Sequence, residues 1–162
     1  MLKAVRIGDA EGARHKERRH DIYRNRGSHI SERGRSRAPD YYPAWVGNLA
    51  DDVTIEGSLL DGAAQGADAV RTIVGTIRGL YDSQEFHFAG PYGDSGFLEV
   101  YTARVRGEPI GCVALITYND AGQTHHIAAN YRPLSTLQLL SRLVGEKLAG
   151  TPYAKLFLAS ES

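Results

Sequence analysis

The chain has 162 residues, with 19 Lys and Arg against 19 Asp and Glu, so its formal charge is zero. That length suits one domain whose core needs neither disulfides nor a structural metal. The single cysteine, Cys112, excludes an internal disulfide framework, and no Cys or His cluster has zinc-site spacing, so a reducing cytoplasm is expected, with no cofactor.

No apolar run approaches the roughly 18–20 residues that a bilayer span requires, and the charged N-terminus lacks the apolar core of a signal peptide, so no membrane partner is expected. The zero net charge hides an asymmetry. Residues 1–38 hold eleven Lys and Arg against five Asp and Glu, whereas residues 39–162 hold eight against fourteen. A basic arm thus precedes an acidic body. The arm has too few apolar residues (Ile22, Tyr23, Ile30) to offset its ordering entropy, so disorder is expected there. Its charge suits phosphates, but nucleic acid is the lesser expectation.

From Asp40, a possible N-cap, and Pro43, in the first turn, the pattern predicts a short helix to Ala50 with Tyr42, Trp45 and Leu49 on one face. Val53–Glu56 reads as a short strand, followed by a loop over 57–65 that Gly66 ends. Val70, Ile73, Val74, Ile77, Leu80 and Tyr81 recur at helical spacing, with Asp68 at the positive end. The period then changes. A strand over 85–90 alternates around Phe86 and Phe88, turn residues fill 91–96, and a long strand runs from Phe97 to about Val105. Turns at Arg106–Pro109 and Asn119–Gly122 separate three strand-like runs, which predicts an antiparallel meander. Last comes a helix over 136–149 with a stripe of Leu137, Leu140, Val144 and Leu148. Ser135 and Gln138 are spaced as a capping box, and Gly150 and Pro152 stop it. The stripe is expected to close a cavity mouth or to cover the sheet's outer face.

The order of helix, short strand, long helix and antiparallel sheet, the phrase NLADDVTIEGSLLDGAAQGADAVRTIV from Asn48 to Val74, and TYNDAGQTHHI from Thr117 to Ile127 together resemble the nuclear transport factor 2-like superfamily and its SnoaL-like domains. The resemblance implies an α+β cone: helices packed on a curved antiparallel sheet, with a C-terminal helix, over 39–162. That superfamily hosts ketosteroid isomerases, polyketide cyclases, dehydratases and domains without activity, so fold alone leaves the reaction open. Ketosteroid isomerases use an Asp base together with a Tyr and a protonated Asp that bind an oxyanion. Here the base position falls on Gly57 and the second Asp position on Ala114, so that machinery is absent. Strand alternation points the neighbouring Glu56 away from the cavity.

By the same resemblance, Phe97, Glu99, Tyr101 and Ala103 face the cavity. Among apolar neighbours a carboxyl is driven towards its neutral form, which makes Glu99 the candidate general acid or base, with Tyr101 as oxyanion donor. Of the tandem histidines, alternation assigns His125 to the cavity side, as a candidate proton carrier, and His126 to the outer face. Trp45, Val74, Cys112, Ile116, Ile127 and Tyr131 complete the candidate ligand-binding residues, with Cys112 as a small filler. Val100, Thr102, Val113, Leu115 and Ala128 leave an apolar outer patch that suits a homodimer. Two readings stay open. One is a domain that binds an apolar small molecule, its candidate reaction a cofactor-free isomerisation, cyclisation or dehydration of a carbonyl compound. The other is a non-catalytic dimeric interaction module that binds protein or, through the arm, nucleic acid.

Overall fold

The computed structural model describes residues 43–159. The arm over 1–38, the expected N-cap Asp40 and Tyr42 lie outside the described residues. From Pro43 the chain makes only a 3-10 turn, Ala44–Gly47, before strand β1 (Leu49–Gly57) begins. The expected helix to Ala50 is therefore cut short. Thr124 N donates to the Asn48 carbonyl (2.8 Å), and Leu49 takes Thr124 as its register partner, so pairing with a distant strand overrides the local helical preference.

The loop over 57–65 contains a three-residue strand, β2 (Ala63–Gln65), which pairs antiparallel with β1. Helix α1 (Ala67–Gly79) buries Val70, Ile73, Val74 and Ile77, as the spacing predicts, and has Asp68 in its first turn. Strands β3 (Ser83–Tyr92), β4 (Gly96–Val105), β5 (Glu108–Tyr118) and β6 (Thr124–Arg132) form the expected meander. Arg106 (φ 50°) and Gly107 (φ 82°) make a two-residue turn between β4 and β5, tighter than the expected four, and Pro109 already pairs with Arg104. The sheet order is β2-β1-β6-β5-β4-β3, with β1 and β6 parallel and every other pair antiparallel.

Two bulges break the simple alternation. Phe86 faces Tyr101 and Phe88 faces Val100, so His87 is the extra residue; Phe86 packs on Tyr101 (5.2 Å between ring centroids) and Phe88 is left 47% exposed. A second register shift lies between the Tyr118–Thr124 and Thr117–His126 pairs. Thr124 and Ile127 both point inward, and His125 is turned out to solvent.

Helix α2 (Leu134–Lys147) starts two residues earlier than expected, after Pro133, and no side chain caps it, so the Ser135/Gln138 box does not form. Leu140, Val144 and Leu148 of its stripe are buried, joined by Leu143 and Ser141, and the helix packs against α1, β5 and β6. It takes neither of its two expected positions. Its apolar side chains belong to the main core, no α2 residue lines the cavity described below, and the outer face stays partly exposed. The Ser141 hydroxyl donates to the Leu59 carbonyl (3.0 Å) and accepts from Leu158 N (3.1 Å), which ties helix, loop and C-terminal segment together. No helix among the described residues is long and apolar enough to cross a membrane.

Candidate functional site

Cross-strand register arranges the inner face of the sheet in rows. One row reads Phe97, Ile116, Ile127, Ile55; the next reads Ala89, Glu99, Ala114, Ala129, Gly57; the third reads Phe86, Tyr101, Cys112, Tyr131. Directly opposed side chains lie about 4.5–5.5 Å apart at Cβ, so each row is a contiguous band. Glu99 stands in a row of otherwise small residues, between a band of isoleucines and a band of tyrosines. The missing bulk of that row leaves a cavity. Trp45, Val74, Ile77 and Leu60 cover it from the helix side, and Arg78 and Gln84 lie at its edge.

Glu99 is 2% exposed. The Trp45 indole N–H donates to its Oε1 at 3.0 Å, and Trp45 is in turn held by Thr124, whose hydroxyl donates to the Trp45 carbonyl at 2.8 Å. Every buried side-chain nitrogen or oxygen among the described residues has a hydrogen-bond partner.

Three phenol oxygens meet in the tyrosine row. Tyr81, from the segment after α1, lies 3.0 Å from the Tyr101 oxygen and donates to the Tyr131 oxygen at 3.3 Å, while Tyr101 and Tyr131 are 3.3 Å apart. Cys112 separates Tyr101 and Tyr131 in the row, and its small side chain lets their rings converge above it. Burial raises Tyr101 and Tyr131 well above the ordinary phenol value, and Tyr81 likewise, so all three remain neutral hydroxyls at neutral pH. Burial also pushes the Cys112 thiol up to about 11.

Trp45, Val74, Glu99, Tyr101, Ile127 and Tyr131 line one cavity. Cys112 and Ile116 are both fully buried, but they pack in the core and do not line it. His125 is corrected outright: the bulge puts it on the surface, where its Nε2 lies 3.5 Å from Asp52 Oδ2. His126 takes the outer face as expected, with Nδ1 2.7 Å from the Thr54 hydroxyl and Nε2 3.2 Å from Glu56 Oε1, so Glu56 also points outward. Tyr81 is the residue that sequence reasoning missed as a site member; it reads there as the end of an apolar helical stripe. Ala114, already noted as the second Asp position, and Ala129, on the cavity face by alternation along β6, also line the cavity.

Gly57 closes the small row. A Cβ at this position would lie 1.9 Å from the Ala129 carbonyl oxygen, and its φ of 148° suits no side chain, so a carboxylate cannot be placed there by substitution alone. Ala114 is the direct register partner of Glu99, so the carboxyl of this cavity stands one strand away from the Ala114 position. Among the described residues, no three His, Cys, Asp or Glu gather as a metal site.

No family model matches the chain, and no curated protein matches it. Solved structures do. An uncharacterised bacterial protein with a cystatin-like fold from Silicibacter pomeroyi superimposes with a TM-score of 0.61 at 19% identity, covering 65% of this chain and 74% of that one. A steroid delta-isomerase from Pseudomonas aeruginosa gives 0.61 at 20% identity, over 87% of this chain and 93% of that one. A looser match, an NTF2-like protein of unknown function from Cytophaga hutchinsonii, gives 0.43 at 14% identity over 56% and 75%. At such identities the likeness is one of fold alone: the chain has the α+β nuclear transport factor 2-like fold expected from its Asn48 to Val74 and Thr117 to Ile127 segments.

Proposed function

We propose that the domain binds an apolar carbonyl compound in this cavity and acts on it, without a cofactor, as an isomerase, cyclase or dehydratase. One observation carries the reading: a buried carboxyl, Glu99, and Tyr101, whose hydroxyl meets those of Tyr81 and Tyr131, lie on the wall of one mostly apolar cavity. In its ionised form Glu99 takes a proton from the carbon beside the carbonyl; the C–H electron pair enters the C–C bond and the carbonyl π pair moves onto oxygen, giving an enolate. Tyr101, kept neutral by burial, donates to that oxygen as its charge develops. Return of the proton from Glu99 to another carbon completes an isomerisation. Its delivery to a departing β-hydroxyl, which leaves as water while the enolate electrons form the C=C bond, completes a dehydration; in a cyclisation the enolate carbon attacks a second carbonyl, whose π pair moves onto its own oxygen and takes the proton back from Glu99. The apolar lining keeps bulk water away from the charge. Trp45 holds the carboxyl in place. His125 takes no part.

The test is exchange of the α-hydrogens of cyclopentanone for deuterium in D2O, followed by NMR. The wild-type chain should accelerate it, and Glu99→Gln should slow that exchange by about 10²–10⁴-fold, the usual range for loss of a general base. Undiminished exchange in Glu99→Gln would overturn the role of the carboxyl.

For assembly, the partly exposed Val100, Val113, Leu115 and Ala128, with exposed Phe88 beside them, support a second copy on the outer face. Sedimentation of the wild type against Leu115→Lys measures this. A wild-type monomer at micromolar concentration refutes it.

A further inference from the structure

We infer that the compound this cavity takes is small and flat, a single-ring or short-chain carbonyl compound rather than a fused-ring one; the inference rests on the cavity being the substrate site, as proposed above. The space lies over one row of the sheet, in which Ala114 and Ala129 accompany Glu99, and large side chains close it on both sides along the strands. Ile127 and Ile55 form one boundary, Tyr101 and Tyr131 the other. Residues two apart on a strand are separated by roughly 6.4–6.8 Å, so the small row is one side chain thick. A planar molecule fits that layer, whereas a molecule of several rings needs one of the flanking rows to move.

The volume agrees. The space open to the centre of a water-sized sphere is about 40 Å³. One water needs about 10–15 Å³ by that measure, so the cavity holds about three waters, or a handful of non-hydrogen atoms. Its boundaries resist enlargement: Ile127 and Ile55 are buried in the core, and the tyrosines are linked to each other through their hydroxyls. Moving any of them breaks close packing or a hydrogen bond.

The lining also states what the ligand must carry. Glu99 and the Tyr101 hydroxyl stand two residues apart on β4, so a bound molecule meets one polar group at each side of an apolar layer. One carbonyl with an adjacent C–H satisfies both.

Titrations of the full chain with cyclopentanone and with androst-4-ene-3,17-dione, read from the methyl NMR signals of Ile127, Ile77 and Val74, test the inference. Cyclopentanone should shift these signals saturably, and the four-ring dione should leave them unchanged. Ala114→Val and Ala129→Val, two independent ways of filling the row, should each weaken cyclopentanone binding at least tenfold, while methyl signals remote from the cavity, such as Val144, keep their positions. Dione binding that shifts Ile127 would overturn the size limit and leave the role of Glu99 intact. Cyclopentanone binding that is absent, or unaffected in both filled variants, would also overturn the inference. Glu99-dependent exchange is read separately, so the two readings can fail independently.

Discussion

Gly57→Ala should be among the most damaging methyl additions in this domain. The added carbon would lie 1.9 Å from the Ala129 carbonyl oxygen, far inside van der Waals contact, and the backbone there has φ 148°. The β1–β6 pair has to open. That step threatens the Ser58 N to Ala129 O bond (3.1 Å) and the pairing of Glu56 with Ala128 and Gly57 with Ala129. Loss of one or two hydrogen bonds costs about 0.5–1.5 kcal/mol each, and a residue forced into such a backbone region adds about 1–3 kcal/mol. The expected destabilisation is therefore about 1.5–6 kcal/mol, a large share of the ~5–15 kcal/mol that holds a typical domain together. Gly75→Ala is the matched control. Gly75 lies inside α1 with nothing within 4 Å of its would-be Cβ, so the same methyl there should stabilise by about 0.5–1 kcal/mol. Trp45 is the only tryptophan and sits on the cavity wall, so urea unfolding followed by its fluorescence reports on both variants. A Gly57→Ala midpoint equal to that of the wild type would show that the close approach of β1 and β6 is not what reserves this position for glycine.

Leu140 is fully buried, so Leu140→Asp places a carboxyl in the main core and should cost several kcal/mol, on the order of the total stability; an unchanged melting temperature would mean that α2 does not dock as described. Stability should also fall in alkali. Burial raises the Cys112 thiol from 9.0 to about 11, so its contribution is complete below pH 9.0 and is lost as pH rises towards 11, because the unfolded chain gives up this proton first. A shift of about two units corresponds to about 2–3 kcal/mol, so between pH 8 and 11 the wild type should lose that much more than Cys112→Ala, as measured by urea unfolding. Equal losses would contradict the thiol's burial as the cause. The buried tyrosines, raised from 10.0, add a further decline above that pH in both proteins.

Sequence alone determined the elements whose signal is local and periodic. The stripe of α1 is set by helical spacing, and the inward set of β4 by alternation, so Glu99 and Tyr101 were legible as cavity residues once the fold was anticipated. Ile127 was placed by alternation along β6, whereas Trp45 was placed by the face of a helix of which only a 3-10 turn forms. What the sequence left hidden depends on pairing between distant segments. The helix expected through Ala50 yields to strand β1 because β6, more than seventy residues later, offers it hydrogen-bond partners. The β6 bulge that expels His125 is a register shift between two strands, and alternation along one strand cannot reveal it. The cavity is likewise a property of a row that runs across five strands. Ala89, Glu99, Ala114, Ala129 and Gly57 are scattered over more than seventy positions and become neighbours only when the registers are fixed. Tyr81 joins Tyr101 and Tyr131 in the same way, since hydroxyls on a helix end and two strands meet only after the chain has closed around them. Local chemistry is written residue by residue, but the empty space and the hydroxyl cluster beside Glu99 come from long-range register, which no single stretch of sequence contains.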